Sequence, residues 1–410
     1  MKKTGFNSAK ILLPQNVDFK AWAVIACDQF TGELEYWAQL EKEVNGKPTT
    51  LDMVLPEVYL NDSPDARISQ INQNIGKYLA SGVFKEYPNG YVLTVRSTPY
   101  VTRRIGLVGA IDLEEYEYSK KSNALIRSTE GTVEERIPPR LKIRKDAQVE
   151  FPHVMVLFDD EKREITEPLY DARKSFEKVY DFELNMNGGK IEGYFIPESA
   201  GLKEKFEKLL DADRLIAKYG KEDNFAFAVG DGNHSLATAK AHWNNVKATL
   251  TEQEKQNHPA RFALVEFVNI YDEGIYFEPI FRFIKGVDKE KFLSELKAVD
   301  CGNIRTFNGV EYKDQQGKAS LPEGIKATDD FIKDYINKNG GEVDYIHGES
   351  NLEKLVCQNI DSVGIYFEKM NKSELFKYVS KNGALPRKTF SMGEGVEKRY
   401  YLEGRKITKA

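Results

Sequence analysis

"AFAVGDGNHSLATAKAHW", residues 226–243, runs from an apolar segment through a glycine-spaced polar turn into small helix-forming residues. The apolar segment reads as a strand, Gly230 to Ser235 as the turn, and the remainder as a helix, which makes this an α/β junction. Such a junction places the N-terminus of a helix at the end of a strand. Its unpaired backbone N–H groups and partial positive charge suit a phosphate or a carboxylate. Gly230 and Gly232 would let the backbone approach that anion closely. Asn233 and Ser235 offer polar side chains, and His234 can donate a hydrogen bond or move a proton near neutral pH. The plainer reading is a helix cap, since Asp, Asn and Ser are common caps and glycine is common in turns.

Outward from this junction, strands and helices alternate. The segment "WAVIA" followed by "CDQFTGE" and "LEYWAQLEKEV" reads as a buried extended piece, a turn edged by Asp28, and a helix. Residues 63–84 open with Ser-Pro-Asp and carry Ile68, Ile71, Ile75 and Leu79 at helical spacing. "GYVLTVRSTPY" and "RRIGLVGAIDLEEY" read as an antiparallel pair. "LYDARKSFEKVYDFEL" reads as helix, "GGKIEGYFI" as strand, "GLKEKFEKLLDADRLIAKYG" as one helix ending in glycine, and 261–284 as strand. Beyond about residue 287, helices such as "TDDFIKDYINKNG" alternate with strands such as "SVGIYFEKM". The expected organisation is a main α/β body over 1–285 and a smaller mixed α/β portion over 286–410, with the 383–395 loop returning to the site.

Composition narrows the function. Lys and Arg number 59 against 64 Asp and Glu, a net charge of −5 without long single-sign blocks. That argues against nucleic acid as a partner. The 3 cysteines, Cys27, Cys301 and Cys357, have no CxxC spacing and read as free thiols of a reducing compartment. No leader-like or membrane-spanning apolar stretch is evident, so a cytoplasmic protein with a small-molecule substrate is expected.

Several cofactor motifs fail. Gly230-x-Gly232-x-x-Ser235 is a near miss to the dinucleotide fingerprint, whose third position is glycine or alanine, and no acid closes a second strand about 20 residues on. NAD is therefore not expected. No GxxxxGK[ST] loop exists. His234 and His242 lie roughly 12 Å apart along a helix, and no other histidine has ligand spacing, so zinc is not expected. A hard cation held by carboxylates and phosphate oxygens stays open.

Two further stretches carry charge in suggestive order. In "STEGTVEERIPPR", Glu130 can act as a base beside Thr132, with Arg136 and Arg140 as phosphate clamps. A solvated loop of mixed charge is the alternative. In "GALPRKTFSMGEG", Lys388 sits in a glycine-flanked loop that could close over an anion.

Taken together, "IACDQFT", "TEGTVEER", "FPHVMVLFDD", "VGDGNHSLATAK" and "LPRKTFSMGE" resemble the bacterial and archaeal family of domain of unknown function 1015 over nearly the whole chain. Many members carry Asp-Gly-His-His-Arg at the central turn, a signature similar to that of the ParB and sulfiredoxin-like superfamily, which includes free-serine kinases. Asp231, Gly232 and His234 keep the pattern, while Asn233 and Ser235 replace a histidine and an arginine. Glu130 and Thr132 match two positions of the His-Glu-Arg-Thr found in many members, and Asp28 lies where many have Tyr-Asp. The resemblance implies a ParB/sulfiredoxin-like core with additional mixed-sheet and helical parts. It also implies phosphotransfer to a small hydroxylated metabolite, serine or phosphoserine first, with a nucleotide as partner. In that reading Glu130, His234 and Asp231 are catalytic, and Asp28 and Asp231 hold Mg²⁺. Gly230, Gly232, Asn233, Ser235, Thr132, Arg136 and Lys388 bind the phosphate-bearing ligand. A phosphoester hydrolase or a non-catalytic sensor of the same ligands are the alternatives.

Overall fold

The computed structural model describes residues 3–60, 62 and 64–409. Ser63, part of the expected helix start, lies outside them. The chain forms a mixed α/β fold of two compact units, Met1–Ile275 with Glu394–Ala410, and Tyr276–Gly393. The division precedes the strand Phe277–Lys285 rather than following it. That strand pairs with Glu342–His347 and Ser362–Phe367, so it belongs to the second sheet. The apolar run over 261–284 is thus two strands of different sheets, parted at "YDEG". The final segment returns to the first unit.

The first unit is built on one large sheet. From one edge its order is Tyr116–Glu117, Ile126–Ser128, Phe227–Asp231, Met155–Phe158, Phe262–Asn269, Arg104–Asp112, Phe84–Ser97, Lys190–Pro197 and Glu177–Glu183. The pair Phe84–Ser97 and Arg104–Asp112 is antiparallel, as its two apolar runs and short turn predict. Ile126–Ser128 runs parallel to Phe227–Asp231, with Val229 opposite Ser128. The two strand ends that carry the candidate residues therefore emerge side by side. Met155–Phe158 runs antiparallel to Phe227–Asp231, with a bulge between Val229 and Asp231. Phe6, Phe206, Phe227 and Phe267 form a ring cluster on the sheet, with centroids 4.3 to 5.9 Å apart in the contacting pairs. Burying each such side chain contributes roughly 1.5–3 kcal/mol.

Two helical expectations are corrected. The stretch "LYDARKSFEKVYDFEL" is helical only through Thr166–Asp171, and Glu177–Glu183 is a strand paired with Lys190–Pro197. Edge-strand pairing outweighs the helix-forming lysines and glutamates there. The helix expected from Leu202 onward breaks at Asp211, whose carboxylate caps a new helix, Ala212–Tyr219, ended by left-handed Gly220. No described helix is long and apolar enough to cross a membrane.

The second unit pairs its strands antiparallel and covers them with helices including Lys289–Leu296 and Leu321–Asn339. Arg282 is fully buried there and binds both Asp329 oxygens, at 2.7 and 2.8 Å.

The returning segment brings charge into the first unit's core. Glu403 is fully buried, accepts a 2.6 Å hydrogen bond from the Tyr180 hydroxyl, and is pushed by burial up to about 7. An acid whose folded value is raised contributes stability below its ordinary 4.5 that is lost as pH rises through about 7. At about 1.4 kcal/mol per pH unit, the loss is about 3 kcal/mol. Urea unfolding of Glu403→Gln should show a flatter stability profile between pH 4.5 and 7 than the wild type. Equal slopes in that window would show that Glu403 ionises as it does in the unfolded chain.

Candidate functional site

The strand Phe227–Asp231 ends where the helix Asn233–Lys247 begins, and the residue between them is Gly232. Gly232 is the N-cap, in left-handed backbone at φ +78°, and has no side chain with which to cap the helix. The capping alternative for Asp231, Asn233 and Ser235 therefore does not apply. Gly230 lies in the bulge that turns the strand end outward. A Cβ on Gly232 would stand 3.0 Å from Val154 Cα, so both conformation and space demand glycine. Gly232→Ala is expected to lower stability by about 1–3 kcal/mol, read by urea unfolding. A loss within about 0.5 kcal/mol, the range of ordinary surface changes, would mean the turn adapts freely.

Each polar residue of the turn has a different engagement. Asn233 Oδ1 accepts from the Ser128 hydroxyl. Ser235 Oγ lies 2.8 Å from His153 Nε2. His234 Nε2 accepts the Val133 N–H at 3.2 Å, which puts the proton of a neutral ring on Nδ1. That last bond clamps the loop carrying Glu130 and Thr132 onto the turn. Thr129 reinforces the clamp, its hydroxyl donating to the Val229 carbonyl at 2.6 Å. Thr132 Oγ1 is buried without a hydrogen-bond partner among the described residues.

The decisive cation is one that sequence reasoning missed. Lys398 Nζ stands 3.3 Å from Asp231 Oδ1. Burial disfavours its charge, yet attraction from Asp231, then Asp28, and also Glu130 raises its pKa above the ordinary 10.5. One ammonium thus lies in the field of three carboxylates drawn from three separate stretches. Backbone pairing puts it there: Ala26 N–H donates to Lys398 O, and Tyr400 N–H to Val24 O, at 2.8 and 2.9 Å. Asp28 lies 3.8 Å from His153 Nε2. Burial pushes Asp28 upward, but His153, the Gln29 hydrogen bond and Lys398 outweigh it and hold Asp28 below the usual carboxylate range.

The arginines expected as clamps are engaged or outward. Arg140 is ion-paired with Glu57 and also donates to the Arg136 carbonyl at 2.6 Å. Arg136 is exposed. Lys388 belongs to the second unit, in left-handed backbone, where its carbonyl accepts from Arg282 at 3.1 Å.

The profile of the family described as "Protein of unknown function (DUF1015)" matches residues 10–385. The chain belongs to that family. Among curated proteins none matches it significantly. Solved structures similar to it include a conserved hypothetical protein from Pyrococcus furiosus, at 8% identity and TM-score 0.37, covering 73% of this chain and 95% of that one. A free serine kinase in complex with AMP has 10% identity and TM-score 0.40, covering 73% and 92%. SbnI with a C-terminal truncation, from Staphylococcus aureus, has 10% identity and TM-score 0.37, covering 70% and 82%.

In this DUF1015 protein the Asp28 and Asp231 pair was the expected Mg²⁺ site. No group of three or more His, Cys, Asp or Glu among the described residues is arranged to hold a metal ion. The arrangement fits an ammonium instead, because Lys398 lies against Asp231 and in the field of Asp28. A divalent ion between the two aspartates would meet that positive charge at close range.

Proposed function

We propose that this protein transfers a phosphoryl group between a nucleotide and a small hydroxylated metabolite, with serine and phosphoserine the first substrates to try. One observation carries the reading: a helix N-terminus whose N-cap residue, Gly232, has no side chain, bordered by a half-buried lysine and by the loop of a carboxylate. The helix end and Lys398 supply the positive field that a phosphate needs. His234, held beside the loop by the Val133 N–H, stabilises charge on the transferring group. Glu130 takes the proton of the attacking hydroxyl as its oxygen bonds to phosphorus and the bond from phosphorus to the nucleotide oxygen breaks. The remaining contribution is positioning, which the parallel strand ends provide by fixing the two loops side by side.

The test is a ³¹P NMR screen of the full chain with serine or phosphoserine against ATP and ADP. Transfer in any pairing supports the reading. Release of inorganic phosphate without an acceptor would make the protein a phosphoester hydrolase. Saturable nucleotide binding without turnover in any pairing would make it a sensor.

A further inference from the structure

Ser235 stands on the first turn of the helix Asn233–Lys247, with its Oγ 2.8 Å from His153 Nε2. Sheet register brings the two together. His153 lies just before the strand Met155–Phe158, whose Met155 is opposite Asp231 at the end of the neighbouring strand. Which of the pair donates is decided by what surrounds the ring.

A neutral imidazole carries a single N–H, on one nitrogen or the other. His153 Nδ1 is buried with no hydrogen-bond partner among the described residues. Either tautomer leaves that atom unsatisfied, but an orphaned buried N–H is rarer in folded proteins than an orphaned acceptor. On the opposite side, the Asp28 carboxylate stands 3.8 Å from Nε2. Its negative charge favours a hydrogen there over a lone pair. Both observations put the hydrogen on Nε2, so His153 donates to Ser235 Oγ. A serine hydroxyl has one hydrogen and two lone pairs. With a lone pair taken by His153, its hydrogen is left over, since the bond to His153 is the one hydrogen bond Ser235 Oγ makes among the described residues. Around it the first-turn N–H groups are donors as well, and Lys398 adds an ammonium beside Asp231. A leftover donor among donors suits an anionic oxygen.

We propose that His153 is a positioning residue, whose Nε2–H turns the Ser235 hydroxyl into a further donor to the phosphate at the helix end. This rests on the reading of the turn as the phosphate end. The same tautomer leaves no lone pair at Nε2 to take a proton, so the pair does not make Ser235 a nucleophile.

Two measurements on the full chain test this. At a pH where the ring is neutral, ¹⁵N NMR of the histidine side chains should show the His153 hydrogen on Nε2. In titrations with inorganic phosphate, Ser235→Ala and His153→Phe should each weaken binding about tenfold. His153→Gln, which keeps an N–H donor, should recover most of that loss. In the Ser235→Ala background, His153→Phe should weaken phosphate no further, because its effect passes through the hydroxyl. A histidine that merely supports the fold would still cost affinity there, and that outcome overturns the proposal. If His153→Phe does not fold, the tautomer and Ser235→Ala decide: an Nδ1–H ring, or unchanged phosphate affinity, overturns it. Wild-type protein that binds no phosphate would sink the phosphate end and this role together. Phosphate binding with the expected losses, but no phosphoryl transfer, would sink the transfer reading and leave the role of His153 standing.

Discussion

Glu130→Gln is expected to lower phosphoryl transfer by about 10²–10⁴-fold, the usual contribution of a general base, while leaving ligand affinity nearly unchanged. A glutamine keeps the size and hydrogen-bonding reach of the side chain but cannot accept the hydroxyl proton. The loop that carries it has further anchors away from this side chain. It is fixed by Val133 N–H on His234 and by the Thr129 bonds to Val229. The fall should therefore appear in kcat, with KM little moved. Nucleotide titration of the same variant checks the second half. A matching loss of affinity would make Glu130 a binding residue, and full retained turnover would remove it from the chemistry.

Lys398→Met should weaken inorganic phosphate and nucleotide binding tenfold or more, with little effect on ligands that carry no phosphate. A hydrogen bond to a charged group contributes about 1.5–3 kcal/mol, and each 1.4 kcal/mol is about tenfold in affinity. The substitution also strips Asp231 and Asp28 of their shared cation, so stability falls as well. Its site is partly exposed, with 19% of the lysine side chain accessible, so that loss should stay below the roughly 3–5 kcal/mol of a fully buried pair. The pH dependence follows from the two directions. Lys398 sits above 10.5, so its contribution is complete at lower pH and is lost only as pH rises through the raised value. Asp28 sits below 3.8, so its contribution is complete above that and is lost as pH falls through the lowered value. Neither group changes charge near neutrality. Lys388→Met is the matched comparison: if phosphate affinity follows Lys388 and ignores Lys398, the cation has been misassigned.

Much of the architecture was legible because it is written locally. The apolar run, the glycine-spaced turn and the small-residue helix of 226–243 specify a strand-to-helix junction, and the structure has it at Phe227–Asp231 and Asn233–Lys247. The antiparallel pair around residue 100 was equally plain. What escaped were features fixed by distant pairing. Lys398 lies in "GVEKRYYLEGRK", a segment with few marks of a regular element. Its position comes from hydrogen bonds to Val24 and Ala26, at the other end of the sequence. Only the run "RYYL" hinted at burial, and Arg399, Tyr400, Tyr401 and Leu402 are all buried. The split of 261–284 into two sheets was hidden for a similar reason. Both halves are apolar strands, and only their partners distinguish them.

The return of Glu394–Ala410 to the first unit has a bearing on biosynthesis. A ribosome delivers Asp28, Glu130 and the turn early, then makes all of Tyr276–Gly393 before Lys398 emerges. Until that moment the nascent first unit lacks Tyr400, Tyr401, Leu402 and Ile407, all buried in the finished protein. It also lacks the ammonium that neutralises Asp231. The intervening unit, which has its own sheet and apolar core, can fold while the earlier part waits. Completion of the surroundings of the turn is thereby tied to synthesis of the segment that carries Lys398, and a product terminated before it would be an incomplete body without that ammonium beside Asp231.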